Sequence, residues 1–247
     1  MKVALAVTVH DPGGHIAPGV RRTADVLRTV FSGVAVNATE RTHVDLLEAL
    51  RDAGASVITH PVGNVAGRSR RNAVALALRS EAERILYSDL DHAVRWIEQE
   101  PQELRAVVTK TDAEDVVIVG REDEAFQRSP ARLRQTEALV NHVYTLATGR
   151  KADLMFAVRL LSRSAAEAIV ANCVEDTMSN DVEWPLVAEK HGYSIGYFAA
   201  QGLDYRTTAG FDTNEDRHDH NPEAWIYRVE LAAQHLSVMR RLLEQRD

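Results

Sequence analysis

The stretch Ile85-Leu86-Tyr87-Ser88-Asp89-Leu90-Asp91 decides how the rest of the chain reads. An apolar run delivers two carboxylates together at the end of what reads as a buried strand. Side chains alternate along an extended chain, so Leu90 points to one face while Asp89 and Asp91 share the other at the strand's carboxyl end. Ligands of open α/β sheets bind at such ends. Two carboxylates are hard oxygen donors suited to Mg²⁺ or Mn²⁺, ions that keep positions open for phosphate oxygens. Chance also produces D-x-D triplets often, and a charged strand end capping a loop is the plainer use of one.

Working outward, short apolar strands alternate with amphipathic helices. A strand from Val3 to Val9 is followed by a helix from Pro18 to Phe31, and a strand at Val34-Ala35-Val36 by a helix from Thr42 to Ala53 that stops at Gly54. A strand from Ser56 to Thr59 precedes a helix from Ser69 to Leu78, whose first turn holds Arg70, Arg71 and Asn72. The strand from Arg84 to Ser88 ends in the acidic triplet. Beyond it the alternation continues with longer excursions: a strand from Asp115 to Gly120, a helix from Pro130 to Thr148 ending at Gly149, a strand from Leu154 to Leu161 and a helix from Ser164 to Asn172. A short helix from Pro185 to His191, with proline at its first position, leads to a strand from Ser194 to Ala199. Thr207 to Asn221 is polar and reads as a loop or lid. Asn221-Pro222 opens a last helix to Gln245, with Trp225, Val229, Leu236, Met239 and Leu243 on one stripe. This rhythm predicts an α/β fold with a mainly parallel sheet flanked by helices and a C-terminal helical extension.

At 247 residues the chain suits one large α/β domain or a domain with a helical appendage. The expected division is residues 1–206 as the binding and catalytic domain, and 207–247 as the polar loop and amphipathic helix packed on it. A formal net charge of -7 argues against nucleic acid as a partner. The single cysteine, Cys173, excludes a disulfide framework and a multi-cysteine zinc site, which fits a reducing cytoplasm. The first strand is too short and too β-branched for a signal peptide. No run is long enough to span a membrane, so any membrane contact would be peripheral; a homodimer is allowed.

Three segments, in this order and spacing, resemble the nucleotide-sugar glycosyltransferases of the GT-A fold, family-2-like, and more loosely their glycerate- and polyprenyl-phosphate-directed branches. Gly67-Arg68-Ser69-Arg70-Arg71-Asn72-Ala73 looks like the family's helix just before the metal strand, Ile85 to Asp91 looks like the D-x-D strand, and Asn180-Asp181-Val182-Glu183-Trp184 looks like the acidic segment that supplies the acceptor base. The likeness covers most of Met1 to Phe198. It departs from the pattern at His10-Asp11-Pro12, at Asn37-Ala38-Thr39-Glu40, in Asn-Asp for Glu-Asp, and at Ala157-Val158-Arg159, where lipid-phosphate-directed relatives usually have glycine.

The resemblance implies a metal-dependent enzyme that moves a sugar from a UDP- or GDP-sugar to a hydroxyl of a small or lipid-linked acceptor. Asp91 would bind Mn²⁺ or Mg²⁺ directly, and Asp89 a metal-bound water or the ribose. Arg68, Arg70 and Arg71, at a helix start, would add to the field on the diphosphate, with Asn72 positioning it. Asp11 and Glu40 are expected at the base or ribose. Many GT-A enzymes take a third metal ligand from a histidine near the C-terminus, here His218 or His220, although His218-Asp219-His220 also reads as a charged loop and helix cap. Asp181 is the expected general base, with Glu183 its substitute, and helix capping is the plainer role for Asp181. Retaining transfer would need no base there. Arg121 and Arg159 either meet phosphate or an acceptor carboxylate, or pair with Glu122, Asp123 and Asp153. Two rivals stay open: a haloacid-dehalogenase-like phosphohydrolase with Asp89 as nucleophile, and a sugar-nucleotide-binding protein without turnover.

Overall fold

Val3–Val9 forms β1, nearly all of it buried, because a β-branched, apolar heptad fits a strand covered on both faces. It lies between β2 (Gly33–Thr39) and β4 (Arg84–Asp89), parallel to both. With β3 (Ser56–His60), β5 (Val116–Arg121), β6 (Val158–Ser162) and β7 (Ile195–Ala200), these make one sheet of order β3-β2-β1-β4-β6-β5-β7. Only β6 runs antiparallel to its neighbours. The computed structural model describes residues 1–110, 114–205 and 217–245.

The helices are α1 (Ala17–Val30), α2 (Val44–Asp52), α3 (Ala66–Ala77), α4 (Leu90–Gln99), α5 (Pro101–Thr109), α6 (Asp123–Arg128), α7 (Ala131–Thr148), α8 (Arg163–Asn172), α9 (Asn180–Lys190) and α10 (Pro222–Glu244). One sheet face packs Leu5, Val7 and Leu86 against Leu27, Leu46, Val94 and Trp96, from α1, α2 and α4. The other packs Ala4, Ile85 and Tyr87 against Val74, Ile169 and Trp184, from α3, α8 and α9. A third cluster joins Ile118 to Val140, Val182 and Met239, so α10 packs on α7 and α9. β1 connects to β2 on one side while the chain returns through β4 on the other, and that reversal leaves a crevice at their carboxyl ends.

The sheet is the mixed, mainly parallel one that the alternation predicts, and several elements differ in detail. Leu90 opens a helix, so Asp89 and Asp91 do not share a strand face. Asp89 is the N-cap of α4, with extended backbone at φ -71, ψ 144, and Asp91 sits in its first turn. Leu90, Ala93, Val94 and Ile97 are spaced for one helix face and all are buried. At roughly 1.5–3 kcal/mol per large apolar side chain, that burial outweighs an extended continuation. Helix α3 begins at Ala66, which puts Arg70 in the second turn and leaves Asn72 exposed, not inward as its positioning role assumed. Helix α9 begins at Asn180, with Pro185 inside it. A proline there supplies no N–H to the carbonyl of Asp181, and Arg159 Nη2 donates to that oxygen instead at 3.1 Å. On α10 the buried face is Leu231, Ala232, His235, Val238 and Met239, while Val229 is exposed. Residues 207–216 of the expected lid lie outside the described residues. Its end is a 3-10 turn, Arg217–His220, before Asn221 caps α10 by accepting from Glu223 N at 3.0 Å.

Candidate active site

Asparagine, serine and aspartate are strong N-caps because a side-chain oxygen accepts from the first free helix amides. Asp89 makes no such bond to α4. Its register opposite Thr8 turns the carboxylate toward α3 instead. Oδ1 accepts from Thr8 Oγ1 at 2.7 Å and from the Tyr87 hydroxyl at 2.6 Å, and Oδ2 from Arg70 Nη2 at 3.1 Å. Burial pushes this carboxyl up, but Arg70 foremost, then His92, Tyr87 and Thr8, outweigh it and hold it below the ordinary aspartate value. Arg70 Nη1 donates to Asp181 Oδ1 at 2.7 Å and to Asn180 Oδ1 at 3.0 Å. Burial works against the Arg70 charge, yet Asp89, Tyr87 and Asp181 leave it more firmly protonated than a free arginine. One guanidinium thus ties the end of β4 to the start of α9.

Asp91 points the other way. Its carboxylate is 28% exposed, and among the described residues its one polar contact is His92 Nε2 at 3.8 Å. Beside it, between α1 and α4, lies a cavity of about 260 Å³ lined in part by His15, Gly19, Arg22 and Arg95. The His92 ring stacks on Phe156 with centroids 4.1 Å apart, which fixes the residue next to Asp91.

No group of three or more His, Cys, Asp or Glu among the described residues is placed to hold a metal by itself. The donor chemistry still fits a hard divalent cation shared with a phosphate ligand. Mg²⁺ typically takes only one or two protein carboxylates and fills its remaining positions with water and phosphate. Asp91 offers such a carboxylate, while both oxygens of Asp89 already accept hydrogen bonds.

The other expected residues divide. Asp11 is buried and closes the β1–α1 connection, its Oδ2 accepting from Ile16 N at 2.8 Å and its carbonyl from His43 N at 2.9 Å. Glu40 is exposed at the end of β2. Nearby, His10 Nδ1 lies 2.7 Å from Thr39 Oγ1 and His60 Nε2 lies 2.8 Å from Ser69 Oγ, which makes the rim of β1–β3 polar. Arg68 and Arg71 turn to Asp176, at 3.5 and 2.6 Å, and Arg71 also to the carbonyl of Glu175. Gly67 permits this: a Cβ there would lie 2.3 Å from the Glu175 carbonyl oxygen and 2.5 Å from that of Thr177. Glu183 Oε1 accepts from the amides of Val174 and Glu175 at 2.8 and 2.9 Å, and burial, opposed by those amides, pushes its carboxyl up.

His218 and His220 flank Asp219 in the 3-10 turn, where Asp219 caps α7 by accepting from Ala131 N at 2.6 Å and from Arg132 Nη1 at 3.0 Å. Arg121 pairs with Asp153 and Glu137. Arg159 donates to the carbonyls of Val158, Leu154 and Asp181, and burial draws its proton affinity down. Thr8, Tyr87 and His235 were not anticipated. For His235 the one signal is its helical spacing from Leu231, Val238 and Met239, which a stripe drawn through Val229 passes over.

No family model matches this sequence, and no curated protein matches it at a significant level. The fold does have solved counterparts. The chain superposes with a TM-score of 0.64 at 9% identity, covering 98% of this chain and 79% of the other, on glucosyl-3-phosphoglycerate synthase from Mycobacterium tuberculosis in complex with Mg²⁺ and uridine diphosphate. A second structure of that enzyme, with Mn²⁺, uridine diphosphate and phosphoglyceric acid, gives 0.63 at 9% identity over 98% and 78% of the two chains. A third, with Mn²⁺, UDP-glucose and glycerol 3-phosphate, gives 0.62 at 10% over 98% and 80%. At such identities the likeness establishes architecture alone, and that architecture is the GT-A fold.

Proposed function

We propose that this protein is a metal-dependent glycosyltransferase that moves a sugar from a nucleotide-diphosphate sugar, UDP- or GDP-linked, to a hydroxyl of a small or lipid-linked acceptor. One observation carries the reading. At the carboxyl end of β4 in a GT-A sheet, the N-cap aspartate of α4 gives its carboxylate to Arg70, Thr8 and Tyr87, and leaves Asp91, in the first turn, 28% exposed beside the cavity between α1 and α4. A helix N-terminus beside an open carboxylate suits a diphosphate carrying a cation.

Asp91 would hold Mn²⁺ or Mg²⁺ together with the donor, and the cation would supply positive charge at the departing diphosphate. The α4 amides add donors to the same phosphates. The exposed Glu40 and the polar rim of His10, Thr39 and His60 take the nucleoside, with Asp11 shaping the loop beneath it. Asp89 and Asp181 fix Arg70, which ties the end of β4 to the start of α9 at the crevice floor. Arg68 and Arg71 shape the site by holding residues 175–176 over the start of α3. A third metal ligand, if the bound donor brings one, is His218 or His220.

Asp181 acts through Arg70, since one oxygen meets that guanidinium and the other faces His235. Glu183 is spent on backbone amides. With both acids of α9 engaged inside the fold, the arrangement favours transfer with retention, which needs no base at that position. The phosphohydrolase alternative suffers from the same geometry, because a nucleophilic Asp89 would need an oxygen free of Thr8, Tyr87 and Arg70. Nucleotide release from UDP- and GDP-sugars, measured with a panel of hydroxyl acceptors and Mn²⁺, tests the proposal. Metal-dependent release that rises with acceptor supports it. Nucleotide binding without any turnover would instead mark a sugar-nucleotide-binding protein.

A further inference from the structure

His235 stands on the face of α10 that otherwise carries Leu231, Ala232, Val238 and Met239, and none of its surface reaches solvent. Its Nδ1 lies 2.7 Å from the Leu231 carbonyl oxygen, one helical turn back, and 3.5 Å from Ser179 Oγ. A carbonyl only accepts, so Nδ1 carries a proton. Nε2 has no hydrogen-bond partner and faces Asp181 Oδ2 at 3.6 Å. With the ring protonated on Nδ1 alone, a lone pair on Nε2 would confront a carboxylate oxygen in a dry interior, where two opposed acceptors are costly. A proton on Nε2 removes that conflict and turns the 3.6 Å approach into an ion contact.

The surrounding charges belong to the same chain of contacts. On α9 Asp181 faces the ring directly; Arg70 of α3 takes the other oxygen of that carboxylate at 2.7 Å, and Arg159 of β6 holds the Asp181 carbonyl at 3.1 Å. On α10 itself Arg241 turns to Glu175 at 3.5 Å.

We infer that His235 is a positioning residue of the transfer site: an ion contact between its Nε2–H and Asp181 Oδ2, across 3.6 Å, fixes the carboxylate that keeps Arg70 against Asp89. The inference rests on the site reading given above. It makes α10, which adds no strand to the sheet, a support of the crevice through a line from His235 to Asp181, Arg70 and Asp89.

Ring-nitrogen NMR of the histidines in the full chain, together with three variants, tests it. In the wild type both ring nitrogens of His235 should carry protons. In Asp181→Asn only Nδ1 should, because the new amide can donate to Nε2. His235→Gln places an amide nitrogen near the position of Nε2 and should keep most of the turnover. His235→Asn, which retains only the bond to Leu231, should lose about tenfold or more while remaining folded. A wild-type ring protonated on Nδ1 alone, or equal turnover in the Gln and Asn variants, would overturn the inference. If the wild type turns over no nucleotide sugar, the glycosyl-transfer reading fails, and the spectra still decide where the proton lies.

Discussion

Arg70 and Arg121 both lie buried between two carboxylates near the ligand-facing edge of the sheet, in very different surroundings. The Arg121 side chain is 0% exposed and fully engaged: Nε and Nη2 meet Asp153 at 2.8 and 2.9 Å, Nη2 also meets Glu137, and Nη1 donates to Ser129 Oγ at 2.8 Å. Phe126 and Phe156 lie 4.8 and 4.5 Å from its guanidinium, and Arg228 adds a second cation to Glu137 at 2.8 Å. Around Arg70, by contrast, Asp89 is 28% exposed and Asp181 faces a histidine nitrogen that lacks a hydrogen bond. A closed ionic cluster suits packing, whereas one with a part-exposed carboxylate and an unsatisfied member is a candidate for chemistry. The two meet through Phe156, which carries Arg121 on one side and stacks on His92, beside Asp91.

That contrast can be broken by substitution. Arg121→Met should have the largest effect on stability, about 3–5 kcal/mol, because it strands Asp153 and Glu137 without their partner. Arg70→Met should cost less stability in denaturant unfolding, since Asp89 reaches water and Asp181 keeps His235 opposite it, but lower turnover by about a hundredfold. Equal stability losses in the two variants would make both clusters structural.

Acid sharpens the same comparison with a smaller effect. Burial pushes the Asp153 carboxyl up, and Arg121 with its hydrogen bonds more than reverses this, so Asp153, like Asp89, is held below the ordinary value. A depressed folded value contributes stability that is fully present above the unfolded aspartate value of about 3.9 and is lost as pH falls through the folded value. Stability of the wild type should therefore fall below about pH 4, and Asp153→Asn should flatten that fall. An unchanged slope in Asp153→Asn would remove this carboxylate from the acid response.

The smallest effect concerns Ala157, which enters β6 at φ 59, a left-handed conformation that costs a residue with a Cβ roughly 1–2 kcal/mol. Ala157→Gly relieves that strain but gives the unfolded chain more freedom, so thermal unfolding should show a gain of at most about 1 kcal/mol. A loss would mean that the buried methyl contributes more through packing than the backbone strain costs.

Much of the sheet was legible, because its signal is local. The apolar runs of β1, β4 and β5 announce themselves, and Gly149, at φ 73, ends α7 where the sequence stops being periodic. The acidic triplet was legible as a location and misleading as a geometry, for the same Leu90 that continues a strand pattern also starts the helical stripe Leu90, Ala93, Val94 and Ile97. The partners of the basic residues were illegible for a different reason. Arg68 and Arg71 look like a field for phosphate until residues 175–176, about a hundred positions later, fold over them. His235 was hidden likewise, since a stripe drawn through large hydrophobics puts Val229 inside, whereas the packed face turns toward Leu231 and His235.

The central claim is that Asp91 and a divalent cation together receive a nucleotide diphosphate at the start of α4. Thermal unfolding of the wild type and of Asp91→Ala, each with UDP- or GDP-sugar and with or without Mn²⁺, measures this directly. A ligand at 100 times its dissociation constant should stabilise by about 2.7 kcal/mol. The account predicts that shift in the wild type only when Mn²⁺ and the nucleotide sugar are both present, and its loss in an otherwise folded Asp91→Ala. Equal stabilisation of the wild type with Mn²⁺ and with EDTA, or an undiminished shift in Asp91→Ala, would contradict it.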